Sequence, residues 1–175
     1  MKQSVLISAD QIAERVARLG KEISEFYQGK KLNVVILLNG AFIFAADLVR
    51  NLDPELEVTV DSIGVSSYHG TQSTGKINVR SALKNVPQDT HILLIDDILD
   101  TGLTLSETVK YCNECGAASV RTCVVLDKIL PEGRQKHYQA DWIGFRIPDT
   151  FVIGYGLDYN ELGRNLPFIG CMTND

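Results

Sequence analysis

A run of four aliphatic residues, Ile92 to Ile95, leads directly into two carboxylates, Asp96 and Asp97. An apolar run without polar alternation predicts a strand buried on both faces, as in the middle of a parallel sheet. The acids then lie at the carboxyl edge of that sheet, where open α/β sheets bind their ligands. The sequence therefore predicts a ligand site at the end of this strand.

The residues that follow, Asp100-Thr101-Gly102-Leu103-Thr104, have the composition of a turn into a helix. Asp100 or Thr101 can cap the helix, and Gly102 lets the backbone come close to a ligand. The first N–H groups of a helix carry a partial positive charge that suits a phosphate monoester. The alternative is a receiver-like sheet whose acids only cap a helix. The complete turn favours the ligand.

Three acids, Asp96, Asp97 and Asp100, would repel a neighbouring phosphate. At about 4 Å, each like-charge contact costs about 4 kcal/mol at an effective dielectric constant of about 20, more than one hydrogen bond of a phosphate cradle returns. Either the acids face sugar hydroxyls, or a hard cation such as Mg²⁺ lies between them and the phosphate. Both arrangements point to a phosphorylated sugar or a nucleotide.

Composition excludes several other classes of partner. The chain has 175 residues and a net charge of −5 without a block of like charges, which argues against nucleic acid and anionic membranes as partners. No apolar run approaches the roughly 20 residues of a membrane span. The four cysteines are scattered, and Cys112-x-x-Cys115 lacks the second pair of a zinc site, so buried or half-buried thiols are expected. We expect a cytoplasmic protein with one domain over residues 1–175.

Periodicity and turn residues predict the other elements. A capping box at Ser8 opens an amphipathic helix that continues to Phe26 and ends near Gly29. The further predicted segments are strands at Leu32–Leu38, Val58–Tyr68 and Ser119–Leu126, helices after Asn39-Gly40 and from Leu103 to Gly116, and short strands at 142–145, 151–154 and 168–171. The order predicts an α/β fold, with a mostly parallel central sheet flanked by helices and a small lobe formed by the chain ends.

Residues 69–76 are polar and are flanked by glycine, which predicts a mobile hairpin tip and a lid beside the active site. Gly70-x-x-x-x-Gly75-Lys76 matches most of a P-loop, but that motif needs Ser or Thr next and then a helix. The next residues, Ile77-Asn78-Val79, favour a strand. We therefore reject the P-loop.

The stretch from Ile92 to Thr104 resembles the phosphoribosyl pyrophosphate motif of type I phosphoribosyltransferases: a hydrophobic strand, two acids, two hydrophobic residues and D-T-G-x-T. The last third of the chain is similar to the hypoxanthine-guanine phosphoribosyltransferase family. That resemblance depends on Asp127-Lys128, I-P-D-x-F-V at 147–152, L-D-Y at 157–159 and R-N-L-P at 164–167. Leu38-Asn39-Gly40 and Ser67-Tyr68 extend it over nearly the whole chain.

The resemblance implies transfer of a 5-phosphoribosyl group from phosphoribosyl pyrophosphate to hypoxanthine or guanine, with Mg²⁺ as cofactor and a nucleotide and pyrophosphate as products. It implies that Asp96 and Asp97 hold the ribose hydroxyls or a Mg²⁺ bound to them. Thr101, Gly102, Leu103 and Thr104 would then cradle the 5′-phosphate. Asp100 corresponds to a carboxylate near purine N7 that accepts a proton during attack by the base.

The same resemblance gives expected roles to residues outside the motif. Lys128 would donate to the purine 6-oxo group, Phe151 would stack on the base and the backbone of Val152 would bond its edge. Asp158 would bind the Mg²⁺ of the pyrophosphate, and Arg164 the pyrophosphate itself. Asn39-Gly40 forms a plausible second anion pocket, and Ser67 and Tyr68 open the lid. The resemblance also implies a homodimer or homotetramer.

Some features depart from the family pattern. Many relatives have a lysine where this chain has Asn39, the loop Ile129–Gly133 is less basic than usual, and Gly163 replaces a bulkier residue. These departures leave affinity and the ranking of hypoxanthine, guanine and xanthine open. Two alternatives are a phosphoribosyltransferase-fold regulator that senses nucleotides and binds nucleic acid, and a Mg²⁺-dependent phosphatase with Asp97 or Asp100 as nucleophile. The acidic balance opposes the first and the residue spacing the second.

Overall fold

The computed structural model describes residues 2–66, 78–79, 83 and 89–173. In chain order the elements are β1 (Lys2–Ile7), α1 (Ala9–Tyr27), β2 (Lys31–Leu38), α2 (Phe42–Arg50), β3 (Glu57–Ser66), β4 (Asn78–Val79), β5 (Thr90–Leu99), α3 (Leu103–Glu114), β6 (Ser119–Ile129), β7 (Trp142–Pro148), β8 (Val152–Ile153) and β9 (Ile169–Thr173). The order is the α/β alternation that the sequence predicts. The predicted lid at 69–76 lies outside the described residues.

The central sheet has six strands in the order β4-β3-β2-β5-β6-β7. Its neighbouring strands are parallel except for β4, which is antiparallel to β3. Strand β5 lies in the interior between β2 and β6, and Ile92 to Ile95 are fully buried. The prediction of a mostly parallel sheet with this strand in its middle is confirmed.

Helices on both faces of the sheet explain why β5 is apolar without alternation. Leu93 and Ile95 pack on one side with buried residues of α1 and α2. Ile92 and Leu94 point to the other side and pack with buried residues of α3. Every position of the run Ile92–Ile95 therefore enters one of two cores, which removes the usual polar face.

A second sheet has three antiparallel strands in the order β1-β9-β8. It joins the two chain ends, since Lys2 pairs opposite Thr173, and this confirms the predicted small lobe. We call this sheet and the segment 154–168 between its last two strands the hood. Ile7, Val152 and Ile169 of the hood share one core with α1 and α2. The sequence analysis did not predict β1 as a strand.

Helix α1 begins at the predicted capping box, where the Ser8 N–H donates to Gln11 Oε1 (2.9 Å) and the Gln11 N–H to Ser8 Oγ (3.3 Å). Its predicted apolar positions are buried through Ile23. The prediction is wrong at Phe26, which is 38% exposed, whereas Tyr27 is buried. Tyr27 lies four residues after Ile23, which places it on the same face of the helix.

Two strands run further than their apolar stretches predict. Asp96 and Asp97 lie inside β5, because β6 continues to pair with it as far as Leu99 opposite Asp127. Lys128 likewise lies within β6 and pairs with Ile147 of β7. The backbone ladder therefore carries these charged side chains to the carboxyl edge of the sheet on rigid strands.

None of the described helices is long and apolar enough to cross a bilayer. The four cysteines are free thiols. Cys112 and Cys123 are buried, and Cys115 and Cys171 are partly buried. The prediction of buried or half-buried thiols is confirmed.

Candidate active site

A cavity of about 680 Å³ opens at the carboxyl end of the central sheet. Its walls are the ends of β2 and β5, the turn into α3, and the part of the hood that follows β8. The lining residues are Leu37, Leu38, Gly40, Asp96–Leu105, Asp158, Glu161 and Arg164. The predicted motif thus forms one continuous wall of a cleft at the sheet edge.

Asp96 and Asp97 turn their side chains back onto the strand. Asp96 Oδ1 accepts from the Asp97 N–H (2.9 Å), and Asp97 Oδ1 accepts from the Ile98 N–H (2.8 Å). Burial raises the pKa of Asp96 well above its usual range, and the charge of Asp97 adds to this shift. Burial also raises the pKa of Asp97, against the opposing effects of its hydrogen bonds and of the Arg164 charge. Burial therefore disfavours the charged form of both carboxylates.

Gly40 leaves the space that the Asp97 carboxylate occupies. A Cβ at Gly40 would lie 1.7 Å from Asp97 Oδ2. On its other side Gly40 contacts the hood, because a Cβ at Gly156 would lie 2.1 Å from the Gly40 carbonyl oxygen. The neighbouring Asn39 is exposed, and the Leu38–Asn39 peptide bond is cis. The turn after β2 therefore joins the carboxylate pair to the hood.

The turn Thr101–Thr104 leads into α3, which begins at Leu103. Gly102 is the N-cap residue with φ +82°, and a Cβ there would lie 2.8 Å from Tyr138 Cβ. Both the left-handed backbone and the close contact require glycine. The prediction that Asp100 or Thr101 caps the helix is wrong, because Gly102 occupies that position. The first N–H groups of α3 have no hydrogen-bond acceptor within the helix, and they lie beside the cavity.

Four charged side chains form a ring beside the cleft, which they join through Asp100. Lys128 Nζ donates to Asp149 Oδ1 (3.1 Å) and lies 3.7 Å from Asp100 Oδ2. Arg134 Nη1 donates to Asp149 Oδ2 (2.8 Å), and its Nη2 lies 3.0 Å from Asp100 Oδ1. The hydrogen bond from Lys128, followed by the charges of both cations, holds the pKa of Asp149 below its usual range. We call these four residues the ion-pair ring.

The predicted base-stacking residue lies next to this ring in sequence. Phe151 is 48% exposed, and its ring meets Tyr159 edge to face with centroids 5.5 Å apart. Val152 is buried and pairs with Cys171 in the hood sheet. An exposed aromatic face beside a buried strand is available to a planar ligand.

Arg164 is held by three oxygen acceptors of the hood. Its Nη2 lies 2.8 Å from Asp158 Oδ1 and 3.1 Å from Glu161 Oε2, and its Nη1 donates to the Gly156 carbonyl (2.8 Å). Asp158 Oδ2 also accepts from the Glu161 N–H (2.9 Å). Within the described part of the chain, no three carboxylate, histidine or cysteine side chains converge as a preformed metal centre. Asp158 is paired with Arg164, separately from Asp96 and Asp97.

Sequence reasoning missed three residues of the site: Arg134, Asp149 and Glu161. Asp149 belongs to a quoted motif but received no role, and Glu161 follows Asp158 by three residues without a distinguishing pattern. Arg134 stands in a loop that the sequence marks only by its breakers, so no local signal predicts its contacts. Ser67 and Tyr68 lie outside the described residues.

The comparisons with known proteins agree with this geometry. Residues 7–160 match the family model of the phosphoribosyl transferase domain. The hypoxanthine-guanine phosphoribosyltransferase of Streptococcus pneumoniae (strain ATCC BAA-255 / R6) is 42% identical over 174 residues, which cover 99% of this chain and 94% of that protein. The enzyme of the same name from Bacillus subtilis (strain 168) is 42% identical over 171 residues, 97% of this chain and 93% of its own length.

Solved structures show the same architecture. A hypoxanthine phosphoribosyltransferase from Staphylococcus aureus superimposes with a TM-score of 0.88 at 37% identity, covering 97% of this chain and 91% of that one. The Trypanosoma cruzi hypoxanthine phosphoribosyltransferase, in complex with the product IMP, gives a TM-score of 0.87 at 35% identity over 97% of this chain and 93% of its own.

The fold, the motif wall and these matches define a transferase of phosphoribosyl groups, and the chain belongs to the phosphoribosyltransferase family. Within that family its similarity over nearly the full length groups it with the hypoxanthine-guanine phosphoribosyltransferases. The protein is therefore an enzyme. The predicted fold and family are confirmed, whereas the roles of individual residues stay predictions.

Proposed function

We propose that this enzyme acts in purine salvage, transferring the 5-phosphoribosyl group of phosphoribosyl pyrophosphate to hypoxanthine or guanine in a Mg²⁺-dependent reaction. The products are IMP or GMP and pyrophosphate. The observation that carries the proposal is the junction, in one cleft, of a carboxylate pair, a helix N-terminus and Asp100, which in turn lies 3.7 Å from Lys128 beside the cleft. The IMP complex of the Trypanosoma cruzi relative supports nucleotide as the product class.

The ribose 5-phosphate moiety is assigned to the wall formed by β5 and α3. The 5′-phosphate accepts hydrogen bonds from the turn Thr101–Thr104, where the left-handed Gly102 brings the first helical N–H groups to the cleft. The ribose hydroxyls face Asp96 and Asp97. Carboxylates suit hydroxyl donors, and this position keeps them from pointing at the phosphate.

Mg²⁺ is assigned to the same carboxylates on the chemistry of the donors. Mg²⁺ is usually held by one or two carboxylates together with substrate phosphates rather than by a complete cage of protein ligands. Asp96 and Asp97 fit this pattern, because they are adjacent carboxylates that line the same cavity. When bound, the ion neutralises the pyrophosphate and orients it. Asp158, which lies 2.8 Å from Arg164, is assigned to the Mg²⁺ of the pyrophosphate.

Pyrophosphate is assigned to the part of the cleft between Gly40 and Arg164. The planar fork of an arginine suits a diphosphate, and Arg164 already holds three anionic or carbonyl oxygens there. Asn39 sits at the turn where many relatives carry lysine, so this chain depends on backbone donors and on Arg164.

The base is assigned to the space between Phe151 and the ion-pair ring. Phe151 offers an exposed face for stacking, and the backbone of Val152 can bond the purine edge. Lys128 Nζ has hydrogens beyond the one given to Asp149, and one of them can be donated to a 6-oxo group. A 6-amino group also presents N–H donors and cannot accept a hydrogen bond from the Lys128 ammonium, which explains selection of 6-oxopurines.

In the reaction, the bond between the anomeric carbon and the pyrophosphate oxygen breaks and the ribose gains oxocarbenium-like charge. A purine nitrogen attacks that carbon, and the proton of purine N7 passes to Asp100. Pyrophosphate takes the electron pair of the broken bond. Asp100 is half-exposed; its Oδ1 is buried against Arg134, whereas its Oδ2 lies 3.7 Å from Lys128 Nζ, beyond hydrogen-bond distance, and is the oxygen assigned to accept the proton.

The test is a steady-state assay with phosphoribosyl pyrophosphate and each of hypoxanthine, guanine and xanthine, in Mg²⁺ and after chelation. Nucleotide should form with hypoxanthine or guanine and cease without the metal. No product with either base would overturn the proposal. Persistence of full activity in a chelator would overturn the metal assignment alone. The relative rates with the three bases rank their use.

Three broader assignments complete the proposal. Residues 1–175 act as one domain, supported by the core that the hood shares with α1 and α2. The free thiols suit the reducing cytoplasm. The active form is a homodimer or homotetramer, which sedimentation at several protein concentrations will test. An acidic chain without a basic stripe argues against a nucleic-acid-binding regulator, and salt-sensitive retardation of RNA or DNA would revive that alternative.

A further inference from the structure

The ion-pair ring divides its charges evenly. Asp100 and Asp149 each direct one carboxylate oxygen to Lys128 and the other to Arg134. The four residues come from four different segments: the end of β5, β6, the loop after β6, and the turn after β7. The ring therefore ties together the parts of the chain that surround the proposed base site.

We propose that Arg134 is a positioning residue that sets the geometry of the base site, an inference that rests on the proposed function. It holds the proton acceptor Asp100 and the segment that carries Phe151 in fixed relation before the purine arrives. The unusual loop after Lys128 is thus a functional part of the site. It supplies the basic group that residues 129–133 lack.

Only a forked cation fits this position. Arg134 Nη1 bonds Asp149 (2.8 Å) while Nη2 reaches Asp100 (3.0 Å), so one planar group spans two carboxylates. A lysine ammonium is a point charge on a flexible stem, and Lys128 accordingly makes one close contact (3.1 Å to Asp149) and one longer contact (3.7 Å to Asp100). The prediction is therefore that the shape of the guanidinium is needed, as well as its charge.

The second carboxylate links the ring to the stacking residue. Asp149 lies two residues before Phe151, and the turn between them is tightened by a hydrogen bond from the Thr150 N–H to the Pro148 carbonyl (2.8 Å). Arg134 pulls this turn towards Asp100. We therefore expect the spacing between Phe151 and the proton acceptor Asp100 to depend on the Arg134 bridge.

The loop that carries Arg134 is itself anchored. The His137 N–H donates to the Thr101 carbonyl of the phosphate turn (2.7 Å), and Lys136 Nζ donates to the Lys128 carbonyl (2.7 Å). Lys136 also pairs with the buried Asp127. Arg134 is thus delivered from a fixed loop, which is what a positioning role requires.

Arg134 orients Asp100 without consuming its acceptor. The 3.0 Å contact between Arg134 Nη2 and Asp100 Oδ1 is an ion pair in which no N–H points well at the oxygen. The other oxygen, Asp100 Oδ2, lies 3.7 Å from Lys128 Nζ and is the one left to take the purine proton. Arg134 also contacts one oxygen of each carboxylate, so Lys128 does not have to satisfy both carboxylates alone. The Lys128 ammonium therefore keeps hydrogens that it can donate to the base carbonyl.

The test compares five variants with the wild type by steady-state kinetics with hypoxanthine, and each protein is also melted. The variants are Arg134→Gln, Arg134→Lys, Asp149→Asn, the double variant of Arg134→Gln with Asp149→Asn, and Arg146→Gln. Arg146 is the matched control, because it is 70% exposed and pairs with Asp127 outside the ring. Arg134 is 42% exposed, so its replacement leaves the core intact.

Arg134→Gln should lower kcat/KM for the base by about 10- to 100-fold while KM for phosphoribosyl pyrophosphate stays within about twofold. Arg134→Lys should have a kcat/KM for the base less than about threefold above that of Arg134→Gln. The kcat/KM of the double variant should lie within about threefold of that of the less active single variant, because both substitutions break the same Arg134–Asp149 contact. Arg146→Gln should stay within about twofold of wild type.

Three results would overturn the inference: wild-type kinetics in Arg134→Gln, full recovery in Arg134→Lys, or effects of Arg134→Gln and Asp149→Asn that multiply. A purely structural role would lower the melting temperature and change both KM values together, which would also overturn it. Wild-type protein that forms no nucleotide from any 6-oxopurine would instead overturn the proposed function. The two failures are therefore distinguishable.

Discussion

The two ends of the cleft are built in different ways. The phosphate end consists of the carboxylate pair Asp96-Asp97, the turn Thr101–Thr104 and Gly40, and most of it is one continuous stretch of chain. The proposed base end consists of Lys128, Arg134 and the turn that carries Asp149 and Phe151, which are three separate segments. Asp100 belongs to both ends, since it lies in the stretch and in the ion-pair ring.

The difference lies in what each end must recognise. A phosphate is bound by backbone N–H groups and a helix dipole, so a short turn with the correct glycine builds a complete site. A purine needs a stacking face, a donor and an acceptor at set distances, which no single segment can present. The proposed base end therefore depends on side chains that strands and loops bring together, and its charged members are held by ion pairs.

The largest effect should come from the residue shared by both ends. Asp100→Ala should lower turnover by about 10²- to 10⁴-fold, the usual contribution of general base catalysis, and change IMP affinity by less than about tenfold. Rapid-quench kinetics and calorimetric titration of IMP measure the two quantities. Asp100→Asn is the control, because an amide keeps the shape but cannot accept the proton. Substantial turnover in the Asn variant would remove Asp100 from the chemistry.

Gly40→Ala should break the phosphate end alone. The new Cβ would meet Asp97 Oδ2 at 1.7 Å and force that carboxylate away, so KM for phosphoribosyl pyrophosphate should rise about 100-fold. The melting temperature should change little, because a side chain rather than backbone gives way. Steady-state kinetics and thermal melting check both.

Gly29→Ala is the contrasting control for Gly40→Ala. Its Cβ meets nothing within 4 Å, but its φ of +71° makes alanine strained. It should lose about 1 kcal/mol of stability with unchanged KM values. An unchanged KM for phosphoribosyl pyrophosphate in Gly40→Ala would contradict the assignment of Asp97 to that substrate.

Phe151→Ala should break the base end alone. Loss of a stacking face costs about 1–3 kcal/mol per base, so KM for hypoxanthine should rise about tenfold or more. KM for phosphoribosyl pyrophosphate should not change. Ile129→Ala is the matched control, since Ile129 is an exposed apolar residue (61%) at the same end. Equal effects of the two variants on the base would argue against stacking.

The smallest effect tests whether the position of the hood sets either end. The Tyr155 hydroxyl donates to Asp47 Oδ2 (2.8 Å) and connects the hood to α2. Tyr155→Phe should lower the free energy of unfolding by about 1 kcal/mol in urea and leave both KM values within about twofold. A larger change in both KM values would show that one hood contact governs the whole cleft.

Local signals predicted the fold to the extent that each element has its own pattern. The capping box at Ser8 and the buried run Ile92–Ile95 are confirmed, because each is marked by neighbouring residues of the sequence. The strand β1 escaped prediction because its pairing partner, β9, lies at the other end of the chain. The prediction that Asp100 or Thr101 caps α3 failed because Gly102, with its left-handed backbone, is the N-cap and the helix begins at Leu103.

The same division holds for the site. Sequence alone determined the wall formed by residues 96–105, because the strand end, the acids, the glycine and the helix start follow one another along the chain. Consecutive residues at the end of a strand lie side by side at the sheet edge, so their order fixes this part of the site. Tertiary structure decided the ion-pair ring and the contact of Gly40 with Asp97. Arg134 meets Asp100 and Asp149 only because parallel strands end at the same sheet edge and the loop after β6 folds back over it. Charges so far apart in sequence become partners through the fold alone.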